Sequence, residues 1–192
     1  MIFKESALTF EFSGNWNIKK YDSHKYYKIL AGQGLKGIDF LGIKDGQQLY
    51  LFEVKNYQKR KDWQTVNPIE AIKADPDVLV RKLVQKIEDS FQVFRVVYKY
   101  YQRNWWYRNI FPLIRNWWPV YSKWHFWTDV YEKSLTISDI YIIFWMETAP
   151  EEQELKAYLR QELRLRLNQF SPHIYLLDHQ NNSLAEILSV KT

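Results

Sequence analysis

Between Lys36 and Lys55 the chain reads KGIDFLGI and QLYLFEVK on either side of a short polar break, and this stretch constrains the fold more than any other. Both runs are rich in β-branched and aromatic residues, which suit strands. The break contains Lys44-Asp45-Gly46. A type I turn closed by a glycine in the left-handed region makes a three-residue hairpin loop, and Gly46 meets no Cβ penalty there, so the runs are predicted to pair antiparallel. If this loop pairs Ile43 with Gln47, Asp39 faces Leu51 and Gly37 faces Glu53. Asp39 and Glu53 are then diagonal neighbours on one face, whereas a two-residue loop would put them on opposite faces. Glu53 and Lys55 lie two apart on a strand and share a face, while Val54 points the other way into the core.

Shorter signals surround the hairpin. Residues 8 to 12 (LTFEF) alternate like a first strand, Ser13-Gly14-Asn15 break it, and Trp16 to Tyr21 extend again. Asp22 or Ser23 is a cap for a helix over His24 to Leu30, with Gly32 and Gly34 releasing the chain. After Tyr57, QKRKDWQTVNP reads as a polar, basic loop beside the hairpin. Asp75-Pro76 opens a helix whose apolar stripe is Leu79, Leu83, Ile87, Phe91, Phe94 and Tyr98, with Lys82, Lys86 and Asp89 off the stripe.

Residues 99 to 131 hold Trp105, Trp106, Trp117, Trp118, Trp124 and Trp127 among Arg103, Arg108 and Arg115, and read as an insertion or lid. Ile137 to Trp145 is apolar on both faces, as a buried central strand is. Thr148-Ala149-Pro150-Glu151 carries N-cap and capping-box signals for a long helix, with the stripe Leu155, Leu159, Leu163, Leu167 and Phe170, ended by Ser171-Pro172. Ile174 to Leu177 is a last strand. The alternation predicts one α/β domain over residues 1 to 192, a sandwich with a mixed sheet.

The chain has no cysteine, which excludes disulfides, a thiolate nucleophile and cysteine zinc sites, and fits a cytoplasmic setting. Its start, MIFKESALTF, lacks a secretory signal, and its longest apolar run, Ile140 to Met146, is too short to span a bilayer, so a soluble protein without a membrane partner is expected. A net charge of +5 favours an anionic partner such as nucleic acid. His24, His125, His173 and His179 show no paired metal spacing.

Two carboxylates, Asp39 and Glu53, with the Val54 carbonyl nearby are hard oxygen donors suited to Mg²⁺ or Mn²⁺. Such a metal lowers the pKa of bound water and neutralises charge gathering at phosphorus. Lys55 beside it can orient water and stabilise the phosphate, or act as a base if desolvation lowers its pKa.

Gly37-Ile38-Asp39-Phe40, a short hairpin and Leu51-Phe52-Glu53-Val54-Lys55 together resemble the PD-(D/E)xK nuclease superfamily. The resemblance covers the hairpin closely and the rest loosely, and Ile38 stands where the family has proline. It implies a restriction-endonuclease-like fold, a mixed central sheet flanked by helices, with Asp39 and Glu53 on the metal and Lys55 at the attacking water. Glu5 and Asp22 are candidates for the family's first-helix acid. Lys82, Gln85 and Lys86 lie where some of its members supply a further residue from the next helix.

The expected activity is Mg²⁺-dependent hydrolysis of DNA phosphodiester bonds. The alternative is an inactive module of the same fold that binds nucleic acid or protein through its tryptophans and arginines, which suit unpaired bases, a core or a homodimer contact. A membrane-surface role would need a cleaner amphipathic stripe.

Overall fold

A computed structural model describes residues 1–21, 27–28, 31–32, 34–58, 68–117, 122–148 and 152–191. Its strands are β1 (Ile2–Glu5), β2 (Leu8–Phe12), β3 (Trp16–Lys20), β4 (Phe40–Lys44), β5 (Gln48–Asn56), β6 (Ile140–Glu147), β7 (His173–Leu177) and β8 (Leu188–Lys191). The helices are α1 (Pro68–Ala74), α2 (Pro76–Gln102), α3 (Trp105–Asn109), α4 (Phe111–Ile114), α5 (Lys123–Lys133) and α6 (Gln153–Leu167), with 3-10 turns at Arg115–Trp117 and Ile137–Asp139.

Five strands form a mixed sheet in the order β3-β4-β5-β6-β7. Its first two pairings are antiparallel, and β5-β6 and β6-β7 are parallel. β5 is therefore the middle strand and β6 an interior one. Alternation then sorts the side chains. Leu41, Ile43, Leu49, Leu51, Ile142 and Phe144 point to one face and pack with Leu83, Ile87 and Phe94 of α2 and Leu159 and Leu163 of α6. Phe40, Tyr50, Phe52, Val54, Ile143 and Trp145 point to the other face and meet Leu8, Phe10, Phe12 and Leu188.

The second face is not covered by helices as the expected flanked sheet requires. A separate antiparallel sheet, β1-β2-β8, covers it. The reason lies in β2, whose Leu8, Phe10 and Phe12 all turn inward and pack ring to ring, Phe12 on Phe52 at 5.3 Å and Phe10 on Trp145 at 5.8 Å between centroids. Each buried side chain of this size contributes about 1.5–3 kcal/mol. The molecule is thus mixed α/β with two cores, one on each side of the five-stranded sheet.

The hairpin turn departs from the expected form. Asp45 (φ 53°) and Gly46 (φ 68°) both lie in the left-handed region, and Gln47 donates to the Lys44 carbonyl at 3.0 Å, as in a type I′ turn. Aspartate tolerates this conformation better than most residues. Three residues, Asp45 to Gln47, nevertheless lie between the paired Lys44 and Gln48, and Leu41 pairs with Leu51, a register two residues away from Asp39 opposite Leu51. Because the offset is even, every side chain keeps its expected face.

α2 begins as predicted, with the Asp75 carboxylate accepting from the Val78 N–H at 3.2 Å and Pro76 in the first turn. The described part of residues 99 to 131 is not a separate lid. α2 runs through Gln102, and Tyr107, Phe111, Phe126 and Trp127 join the helix-side core. The capping signal at Thr148 does not operate as expected, since α6 starts only at Gln153 with Glu152 before it, and residues 149–151 lie outside the described residues. The helix expected over His24 to Leu30 lies largely outside them too, as does the basic loop at 59–67.

Candidate metal centre on the β4–β5 hairpin

Glu53 and Lys55 stand on β5 on the helix side of the sheet, in line with Leu49 and Leu51. Asp39 immediately precedes β4. Its backbone is fixed twice, the N–H donating to the Phe52 carbonyl at 2.9 Å and the carbonyl accepting from the Tyr21 N–H at 2.8 Å. Its side chain turns toward β5, where Oδ2 accepts the Val54 N–H at 2.7 Å. The approach to Asp39 depends on Gly37. A Cβ there would lie 2.5 Å from the Tyr27 ring and 2.6 Å from the Tyr21 ring, so only glycine lets the chain pass beneath those rings.

Glu53 is 1% exposed, and a buried carboxylate needs compensating charge. Two ammonium groups supply it. Lys55 Nζ donates to Oε1, and Lys86 Nζ on α2 donates to Oε1 at 2.6 Å and to Oε2 at 2.8 Å. Lys55 also reaches the Val54 carbonyl at 3.3 Å. Asp39, Glu53, Lys55 and that carbonyl therefore meet in one place.

Burial, reinforced by the neighbouring Glu53, pushes Asp39 up to about 6, against the opposing pull of Lys86, the Val54 N–H and Lys55. Burial alone would pull Lys55 down, but its attraction to and hydrogen bond with Glu53 prevail and hold it above the ordinary lysine value. Lys55 is accordingly a fixed ammonium. Burial also raises Tyr57, which stays a neutral phenol.

Beside these groups lies a cavity of about 500 Å³ between β5 and the helices α1 and α2, lined among others by Lys36, Glu53, Lys55, Tyr57, Lys82 and Lys86. Of the three candidates on α2, Lys86 joins the carboxylates and Lys82 lines the cavity. Gln85 does neither, its Oε1 accepting from Lys36 Nζ at 2.9 Å. Asp89 holds the Lys36 N–H at 2.8 Å and so anchors the segment leading to Gly37. Its position off the α2 stripe gave no hint of this role.

The candidates for a further acid fare differently. Glu5 sits on β1 in an ion pair with Lys20 at 2.7 Å, remote in role from the hairpin, and Asp22 lies outside the described residues. Among the described residues, no three His, Cys, Asp or Glu side chains gather as a metal-holding group. The donor set that does exist, two carboxylates and a backbone carbonyl, is hard oxygen throughout and fits Mg²⁺ or Mn²⁺ with water completing the shell. The raised Asp39 fits as well, because a buried acid beside another acid gains most from a nearby divalent charge.

Of the described histidines, His125 meets Asp129 at 3.1 Å, His173 stacks on Tyr141 at 4.4 Å, and His179 bonds Glu147. None is paired with another histidine in a metal spacing. No described helix is long and apolar enough to cross a membrane. Compared with known proteins, the chain matches no family model, no curated protein and no solved structure.

Proposed function

We propose that the chain is a Mg²⁺- or Mn²⁺-dependent nuclease of the PD-(D/E)xK kind that hydrolyses DNA phosphodiester bonds. One observation carries this reading, the meeting of Asp39, Glu53, Lys55 and the Val54 carbonyl at the side of a largely apolar cavity to which Lys36, Lys82 and Lys86 also contribute. Asp39, Glu53 and the Val54 carbonyl would hold the ion, which when bound supplies Lewis acidity and a more acidic water. Lys55, bonded to Glu53, would offer a donor to an oxygen on which charge develops. Lys36 and Lys82 give the cavity the sign that a phosphate backbone requires.

Lys55→Ala tests the reading. Lys86 still spans both oxygens of Glu53 in that variant, so folding should persist while Mg²⁺-dependent cleavage of DNA disappears. Full cleavage by a folded Lys55→Ala protein would remove the mechanism.

A second reading, a module that binds without cutting, is favoured by the surface of the tryptophan-rich segment. Trp105, Trp106 and Trp117 are 56%, 62% and 93% exposed, and Arg103 and Arg108 are exposed near them in sequence. Calorimetric titration of Mn²⁺ into wild type and Asp39→Ala separates the two readings, since only the nuclease requires a metal at Asp39.

A further inference from the structure

Glu53 is nearly sealed from solvent, yet its two oxygens already carry cationic partners. Oε1 accepts from both Lys55 and Lys86, and Oε2 accepts from Lys86. A divalent ion on Glu53 needs one of those oxygens, and it cannot share a dry carboxylate with two ammonium groups without strong repulsion. We propose that the Lys86 ammonium is a resident counter-ion of Glu53, which a divalent cation must displace in order to bind. This inference rests on the reading of Asp39 and Glu53 as metal ligands.

The two lysines differ in how firmly they are tied. Lys55 is bonded to the Val54 carbonyl as well as to Glu53, and it projects from the middle strand of the sheet. Lys86 Nζ is bonded to Glu53 alone and sits at the end of a flexible four-carbon chain. The Lys86 carbonyl accepts from Ser90 Oγ at 2.7 Å within α2, so the backbone is fixed and the side chain is the part free to leave. Room for it exists, because Lys86 lines the cavity of about 500 Å³.

Without metal, Lys86 neutralises Glu53 and keeps the buried acid compatible with folding. With metal, its ammonium is released on the side where Lys36 and Lys82 stand, and the cavity gains a positive charge for an anion. Metal and phosphate binding therefore reinforce each other through one side chain, and by linkage the effect is reciprocal.

The test is calorimetric titration of Mn²⁺ alone into wild type, Lys86→Met and Lys86→Arg, with thermal midpoints recorded with and without Mn²⁺ for each protein. Removing the competing charge should tighten Mn²⁺ binding by at least about tenfold in Lys86→Met, whereas Lys86→Arg, which keeps the charge, should bind no more tightly than wild type. A residue of purely structural importance would give the opposite sign, because its loss loosens the site. Lys86→Gln, which retains a hydrogen-bond donor without charge, should show the same tightening if the methionine variant does not fold. Equal or weaker binding by the uncharged variants, with wild type binding Mn²⁺, overturns the counter-ion role and leaves the metal reading intact. Absence of Mn²⁺ binding in every protein overturns both.

Discussion

Replacing Asp39 with asparagine should make the metal-free protein more stable at neutral pH. In the folded chain, burial and the nearby Glu53 raise this carboxyl from 3.8 to about 6. At roughly 1.36 kcal/mol per pH unit, that rise corresponds to about 3 kcal/mol, an upper figure because the side chain is only partly shielded from water. The sign follows from which state holds the proton. Below about pH 4 Asp39 is neutral in both states and contributes nothing adverse. Between pH 4 and 6 the unfolded chain ionises while the folded one resists, so stability falls as pH rises, and above about pH 6 the full penalty applies.

Asparagine cannot ionise, and its oxygen can still accept the Val54 N–H. The advantage of Asp39→Asn over wild type should therefore grow from a constant at pH 4 to about 3 kcal/mol more at pH 8, or roughly 6–12 °C in midpoint for a chain of this size. Thermal and urea unfolding in the presence of a chelator, from pH 4 to 8, would measure it. A difference that stays flat across this range would refute the account of Asp39. Added Mg²⁺ should narrow the gap by stabilising wild type alone.

Lys156 and Asp178 form an ion pair with side chains 6% and 7% exposed, so Lys156→Met should cost about 3–5 kcal/mol in urea unfolding, with Lys156→Met/Asp178→Asn costing less than the sum of its single changes. Burial pushes Asp178 up, but the bonds from Lys156 and the Asn181 and Gln180 N–H groups hold it below the ordinary value, so its contribution should fade as pH drops into the acid range below about 4. Gly37→Ala should destabilise by about 1–3 kcal/mol through its clash with Tyr21 and Tyr27, and should weaken Mn²⁺ binding by displacing Asp39. If the exposed rings hold single-stranded DNA, Trp106→Ala and Trp117→Ala should each lose about 1–3 kcal/mol of binding in fluorescence anisotropy without changing the melting midpoint.

The hairpin was legible in the sequence because its information is local. Two-residue alternation puts Glu53 and Lys55 on one face whatever the neighbours do, and Asp45-Gly46 marks the turn. The register was missed by two residues because it depends on Asp45 adopting a left-handed conformation, which aspartate permits but does not require. Lys86 could be placed on the correct helix, yet not on Glu53, since that contact joins a helix to a strand through packing that no local pattern encodes.

β1 and β8 were missed for a related reason. IFKE and LSVK are short and partly exposed, and only their pairing to β2 makes them strands. Without them, the inward Phe52 and Val54 could be assigned to a core but not to a second one. The tryptophans divide as composition alone could not show, Trp127 being buried and Trp117 almost bare.

The small sheet also sets a schedule for folding. β2 is bordered on one side by its sequence neighbour β1 and on the other by β8, which leaves the ribosome after every other described element. Until that late segment docks, β2 has an unpaired edge over an aromatic surface, a template for association with another nascent chain. The same long-range closure that seals the finished molecule thus makes its youngest form the most vulnerable to aggregation.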